Sequence, residues 1–408
     1  MNKLLADSHF ELTNGDKILA INKLAVEKEK KGVPVINATI GMLFDEEGKL
    51  ATFEAVDELI AVSNDELTKR YGPVNGGKSF EQAVLKWLFE DVDLHEAKVH
   101  AIMTNGATGA LSISMRNYLE MGQEILLPDI RWSSYDNIAH QVHAGRRSYH
   151  MFKDGHLDVE DIKKQVKYSL DKYHRVFLLI NDPCQNPTGY TLSLDEWKEI
   201  LECLKEASQV GPVVLLDDIA YMNYSEEDYS KVFSLMASYV SDNLMIHITF
   251  SASKTLQIYG LRGGALVALT SNEEELTRFA ASCEGTARAI WSMPNNVASK
   301  VIRECFNSDD HRLMIKGKLL DYTQMLKERA EAFFDEASKF NITTHPYKNG
   351  FFVLVPCKKP DEVSNFLIKE DIYMVPMGEG LRISLASIRL NQVRRLVQEL
   401  GKAMKEVL

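Results

Sequence analysis

Two stretches of this chain, residues 175–180 and 213–216, are almost continuously apolar and too short for helices of ordinary length. A strand apolar on both sides must be covered on both sides, which happens when helices pack on both faces of a mostly parallel sheet. Comparable runs occupy residues 99–103, 124–127, 245–250 and 265–269. Between them lie amphipathic stretches such as 194–207 and 80–91, where Phe80, Val84, Trp87 and Leu88 share one face. Strands alternating with helices predict an α/β domain.

Beyond about residue 300 the pattern changes. Residues 319–340 read as one long helix, and 351–355, 372–375 and 381–385 as short strands. A terminal helix then carries Val393, Leu396, Val397 and Leu400 on one face. The division expected is an N-terminal segment, 1–50, packed with the small domain, a large α/β domain over 51–310, and a small α+β domain over 311–408. No internal repeat or low-complexity tract interrupts the 408 residues.

Composition removes several function classes. The net charge of −11 argues against a nucleic-acid partner or an anionic membrane surface. No apolar run reaches the roughly 18–20 residues of a membrane span. Asp7, Glu11 and Asp16 interrupt the N-terminus too early for a secretory signal. Cys184, Cys203, Cys283, Cys305 and Cys357 are odd in number and form no CxxC pair, so neither a disulfide framework nor a metal site is expected. A cytoplasmic protein fits all of this.

The chemistry concentrates at strand ends. In FSASKTLQIYGLRGG, Lys254 follows an apolar run beside Ser251 and Ser253, with Arg262 eight positions later. A lysine desolvated among such neighbours can act as a Schiff-base nucleophile, while Ser251 and Arg262 hold a phosphate. LLDDIAY ends another run with Asp217 and Asp218, where ligands bind in open α/β sheets. Asp218 and Tyr221 lie one turn apart, so a carboxylate and a phenol can serve opposite edges of one protonated ring. Asn186 in NDPCQNPTG offers another donor, and Gly106, Ala107 and Thr108 in TNGATGAL open a helix whose N–H groups can approach a phosphate. Trp132 is either a core ring or one stacked on a planar cofactor.

Taken in order, GATGAL, Trp132, NPTG, D-x-x-Y and S-x-S-K with its later arginine resemble the class I/II aminotransferases of pyridoxal-phosphate fold type I, the aspartate/aromatic branch in particular. INATIGMLFDEEGKL at 36–50, Tyr71 in RYGPVNGG and Arg382 in LRISLAS extend the resemblance over residues 36 to 385. It implies a large domain with a mostly parallel seven-stranded sheet plus a smaller α+β domain, pyridoxal 5'-phosphate carried on Lys254, and no metal. It further implies a homodimer with a shared active site, Tyr71 reaching the partner subunit's phosphate. Arg382 would grip the substrate α-carboxylate, with Ile40, Asn186 and Trp132 beside it, and Arg288 in TARAIWSMPNN would meet a distal carboxylate. Two departures stand out. Thr39 and Ile40 replace glycine near the substrate carboxylate, and Ala107 removes a hydroxyl from the phosphate loop.

The activity expected is a ping-pong exchange of an amino group between an L-amino acid and a 2-oxo acid. The same cofactor residues would serve a β-lyase, a decarboxylase or a cyclopropane-forming synthase. A ligand-sensing regulator with an aminotransferase-like domain is a third possibility, although the acidic charge disfavours DNA.

Overall fold

The computed structural model describes Leu4, residues 15–378 and residues 380–407; Asp7 and Glu11 lie outside the described residues. The chain divides into two compact units, one of residues 52–186 and 190–323, the other of the segments through Ala51, Pro187–Gly189 and 324 onward.

The larger unit is built on a seven-stranded sheet of β1 (Lys98–Asn105), β2 (Glu124–Pro128), β3 (Gly145–Tyr149), β4 (Val176–Ile180), β5 (Val213–Asp218), β6 (Leu244–Ser251) and β7 (Gly263–Thr270). The spatial order is β1-β7-β6-β5-β4-β2-β3. All neighbours run parallel except β7, which is antiparallel to both β1 and β6. Six strands coincide with the apolar runs. The seventh, β3, is the edge strand GRRSY, whose polar residues carry no apolar signal.

Both faces are covered, as the apolar runs require. Phe177, Leu179, Val214, Leu216, Leu266 and Ala268 join Ala110, Leu111 and Ile113 of the helix Gly106–Tyr118 in one cluster. Val176, Leu178 and Leu215 alternate with them and are equally buried. Full burial of each such side chain contributes roughly 1.5–3 kcal/mol. Helix Leu194–Ser208 starts on a capping box in which Ser193 and Glu196 bond each other's backbone N–H, and buries Trp197, Ile200, Leu201 and Leu204.

In the smaller unit β8 (Phe352–Pro356), β9 (Val375–Met377) and β10 (Gly380–Ser384) form an antiparallel sheet in the order β8-β10-β9. Ile36–Asn37 pairs in parallel with Ile372–Tyr373, bringing the early loop to these strands. The long helix spans Asp309–Ser338, ten residues earlier at its start than the sequence suggests. The added turns lack apolar periodicity and are held instead by Arg312, buried with its guanidinium on the Phe306 carbonyl and Glu90. The terminal helix Leu390–Val407 buries Val393, Leu396, Val397 and Leu400 as expected. Among the described residues no helix is long and apolar enough to cross a membrane.

Arg329 ties the smaller unit together. Its side chain is wholly buried and donates to the carbonyls of Phe44, Leu385 and Ala386 and to the Glu46 carboxylate, at 2.7–3.2 Å. One planar fork thus satisfies three carbonyls from two loops. Arg329→Met should remove about 2–4 kcal/mol of stability, read as a lower urea midpoint, with Arg329→Lys recovering part of it. A midpoint unchanged in both variants would contradict the role.

Candidate active site

The C-terminal ends of β5 and β6 place the first functional groups. Asp218 is the last residue of β5 and pairs in register with Thr249 on β6, so the Thr249 hydroxyl meets Asp218 Oδ1 at 2.9 Å. The Tyr135 hydroxyl donates to Oδ2 at 2.7 Å, and the Ala220 N–H lies 3.3 Å from Oδ1. Burial raises the Asp218 carboxyl above its ordinary range, while the bonds from Tyr135, Thr249 and Ala220 and the Lys254 charge draw it back. Asp217 points to the opposite side of the sheet, as consecutive strand residues must. Its Oδ2 accepts from the Tyr229 hydroxyl at 2.8 Å. Burial, reinforced by the Asp182 charge, pushes its carboxyl far upward. Of the tandem aspartates, Asp218 is the one that β5 presents with donors arranged for its ionised form.

Lys254 sits in the single helical turn Ala252–Thr255 directly after β6. Its Nζ lies 5.4 Å from the Tyr221 ring centre and 4.7 Å from that of Tyr259. The turn is held at its backbone: the Lys254 carbonyl accepts from the Tyr224 hydroxyl at 2.8 Å and the Gln257 amide at 3.0 Å. The amine thus lies half-buried among aromatic faces on a fixed turn. That is a place where a lysine can be desolvated and become a nucleophile.

Glycine backbone, an arginine and serines converge beside it. Gly264 on β7 pairs with Thr104 on one side and Ser251 on the other, and a Cβ there would lie 2.5 Å from the Gly106 carbonyl carbon. Gly106, at φ +69°, opens the helix Gly106–Tyr118, and a Cβ on it would lie 2.8 Å from Arg262 Nη2. Arg262 Nη1 also donates to Ser253 Oγ at 3.3 Å and to the Tyr259 carbonyl at 2.9 Å. A guanidinium over a helix N-terminus, with Ser251 and Ser253 adjacent, is a donor set suited to a phosphate dianion. Ala107 is half-buried and Thr108 exposed in the same first turn.

Asn186 is buried, and its N–H donates to Asn181 Oδ1 at 2.8 Å; Asn181 Nδ2 donates to the Asp218 carbonyl at 2.6 Å. The turn residue and the carboxylate strand are therefore linked through one amide. Trp132 is half-buried, its ring edge-on to Tyr135 at 5.5 Å. Tyr135, Thr249, Asn181, Tyr224 and Tyr259 escaped the sequence reading. The one available cue was the three-residue spacing of Tyr135 from Trp132.

In the smaller unit, Arg382 is buried at the centre of its sheet, between Leu354 and Val375. Its guanidinium carbon lies 4.5 Å from the Phe352 ring centre, and Nη2 donates to the Thr39 carbonyl at 2.6 Å. Ser384 Oγ donates to the Ile40 carbonyl at 2.8 Å. Thr39 and Ile40 thus engage β10 through their carbonyls, and the Thr39 hydroxyl is occupied by Asn37 and Asn22. Gly189 of the NPTG turn groups with this unit. A Cβ at its φ of +74° would strike the Tyr347 ring and the Phe352 carbonyl, at 2.3–2.6 Å. Two predicted residues stand apart in the chain: Tyr71 is 93% exposed, and Arg288 is exposed with Nη1 on Ser292 Oγ at 2.6 Å. Among the described residues no group of three or more His, Cys, Asp or Glu could hold a metal ion.

Comparison with known proteins gives the same direction. An aspartate aminotransferase of Pseudomonas aeruginosa is 25% identical over 98% of this chain and 99% of its own. An aminotransferase from Anaerococcus prevotii superposes with a TM-score of 0.93 at 28% identity, covering 99% of this chain and 100% of that one. An aromatic-amino-acid aminotransferase from Burkholderia pseudomallei, covalently bound to pyridoxal phosphate, shares the fold with a TM-score of 0.80 at 20% identity over 96% and 97% of the two chains. The profile of the family described as aminotransferase class I and II matches residues 33–400. With that match over most of its length, the chain belongs to the class I and II aminotransferases.

Proposed function

We propose that the protein is a pyridoxal-phosphate-dependent aminotransferase acting on aspartate, glutamate or aromatic amino acids, with 2-oxoglutarate or a similar oxo acid as acceptor. The single observation that carries the reading is the grouping of Lys254, Asp218 and the Arg262–Gly106 cradle at the ends of β5, β6 and β7. The glycine backbone at 106 and 264 leaves the close approach that a phosphate needs, and the donors around Asp218 suit a carboxylate facing a protonated ring nitrogen. The residues fit the group. When bound, pyridoxal phosphate supplies an electron sink for the carbanion left when the substrate Cα loses its proton.

The chain's own residues do the rest. Arg262, Ser251, Ser253 and the N–H groups of Gly106, Ala107 and Thr108 would hold the phosphate. Asp218 would face the ring nitrogen, and Tyr135 and Thr249 favour its ionised form. Tyr221 and Asn186 would donate toward the phenolic oxygen, with Trp132 beside the ring. Lys254 Nζ would take the proton from the substrate Cα and give it back later in the cycle, a general acid/base role set by its aromatic surroundings. Arg382 orients the α-carboxylate as a bidentate fork, which fixes which Cα bond can break.

Two further parts belong to this reading. A homodimer is inferred because Tyr71 leaves a large ring in solvent, and Val62 and Leu67, a few residues earlier in the chain, are exposed as well, apolar surface that a partner subunit would bury. Cytoplasmic residence agrees with five cysteines that are all free thiols.

Three outcomes follow. Lys254→Ala should lower kcat at least about a thousandfold, and borohydride reduction of the wild type followed by peptide mapping should label Lys254. A label on another lysine would overturn the assignment. Glutamate must form from 2-oxoglutarate as the donor is consumed; ammonia and an oxo acid released without an acceptor would point to a lyase instead.

Tyr135→Phe removes a donor that lowers the Asp218 pKa, so that pKa should rise further. Asp218 would then lose its charge at a higher pH as the pH falls, and the acid limb of kcat/KM should move upward while the alkaline limb stays. An unmoved acid limb would show that Tyr135 does not tune Asp218.

Arg288→Ala should cut kcat/KM for aspartate about a hundredfold and leave phenylalanine nearly unaffected, as expected when one partner of a charge pair is removed. Equal losses on both substrates would remove Arg288 from the specificity pocket.

A further inference from the structure

The smaller unit contains a cavity of about 420 Å³ between the helix Lys17–Glu29, the loop that follows Ile36–Asn37, and the start of the terminal helix. Its walls are unusual in carrying both signs of charge. Arg389 is half-buried at the wall, and its guanidinium makes no ion pair or hydrogen bond with a described residue; the bonds at this residue are made by its backbone. Glu29 and Glu47 stand at the rim, likewise without a cationic partner among the described residues. Partial burial against the wall holds the Glu29 carboxyl above its ordinary range.

The uncharged lining adds direction. Asn22 Oδ1 already accepts from Asn37 and Thr39, which leaves the Asn22 amide N–H groups as donors toward the cavity. Val26, Val35, Ile40, Met42 and Phe44 supply an apolar wall. A guanidinium with amide donors suits a carboxylate, two carboxylates suit an ammonium, and the aliphatic wall suits a side chain without charge.

We propose that this cavity is a second, non-catalytic site for a neutral α-amino acid with an apolar side chain. Arg389 and Asn22 receive the carboxylate, Glu29 and Glu47 the ammonium, and Val26 and Met42 the side chain.

The site is wired to substrate binding by three bonds. Asn37, in the wall, holds the Thr39 hydroxyl at 2.6 Å, and the Thr39 carbonyl holds Arg382 at 2.6 Å. Ile40, also in the wall, is fixed to Ser384 on the Arg382 strand. An occupant that shifts the loop therefore changes the seating of Arg382 and, with it, the affinity for the substrate carboxylate. This coupling rests on the proposed role of Arg382, whereas binding in the cavity does not.

The test uses the holoenzyme, with L-leucine as probe and calorimetric titration as readout. One molecule per chain should bind with a Kd in or below the millimolar range. Arg389→Gln should weaken it at least tenfold, and Val26→Trp, which fills the cavity, should abolish it. Both variants should retain wild-type kcat and KM for the amino donor when leucine is absent. With leucine present, the wild type should change its donor KM severalfold in a manner that saturates, and Arg389→Gln should not. Absence of saturable binding overturns the site. So does binding that competes fully with the donor and survives Arg389→Gln, because that leucine sits in the active site. Binding that responds to both substitutions without any change in donor KM confirms the site and removes the coupling to Arg382.

Discussion

A carboxylate buried at the end of the central strand is the constraint around which the larger unit is arranged. Isolated in the interior, an ionised Asp218 would cost several kcal/mol and would instead take up a proton. Three donors oppose that, and each comes from a different element. Thr249 arrives through the parallel register of β5 and β6, Tyr135 through the helix after β2, and Ala220 through the turn after β5. Moving β6 by one residue would turn the hydroxyl to the other face of the sheet. Sheet register and site electrostatics are therefore one specification. The neighbouring Asp217 shows the alternative outcome, since among the described residues Tyr229 is the one side-chain donor on its oxygens and burial drives its carboxyl toward the neutral form.

The smaller unit depends on buried charge of the other sign. Arg329 and Arg382 both lie inside it, and each donates to backbone carbonyls: Phe44, Leu385 and Ala386 for one, Thr39 for the other. Guanidinium tolerates this because its charge is delocalised and its donors are fixed in a plane. Their surroundings differ: Arg329 also meets the Glu46 carboxylate, whereas Arg382 packs on the Phe352 ring and donates to the Thr39 carbonyl.

How far the sequence reaches depends on what each feature writes into it. Burial on both faces leaves an apolar run, so six sheet strands and the terminal helix were legible. Strand direction leaves no periodic mark, and nothing in GGALVALT distinguishes the antiparallel β7 from its parallel neighbours. The polar edge strand β3 and the charged first turns of the helix Asp309–Ser338 were missed for the same reason, being held by ion pairs and cation–π contacts such as Arg147 on Tyr168. At the site, Lys254, Asp218 and Arg262 stood out because their residue types are costly at strand ends. Tyr135 and Thr249 did not, since a hydroxyl inside a helix or strand is commonplace and only register makes it a partner of Asp218.

The two departures from the family pattern can be placed by the same logic. Ala107 removes a hydroxyl from the phosphate loop, yet Arg262 Nη2 lies so close over Gly106 that a side chain there would collide with it. In the proposed cofactor site the anion would be met by a guanidinium and by backbone N–H groups, and alanine leaves both unchanged. Thr39 and Ile40 replace small residues, but what they contribute to Arg382 and Ser384 is carbonyl oxygen, which every residue carries. Their side chains do something else: the Thr39 hydroxyl closes a small network with Asn22 and Asn37, and Ile40 becomes a wall of the neighbouring cavity. At these two positions the backbone oxygens serve Arg382 and Ser384, while the side chains serve the asparagine network and the cavity wall.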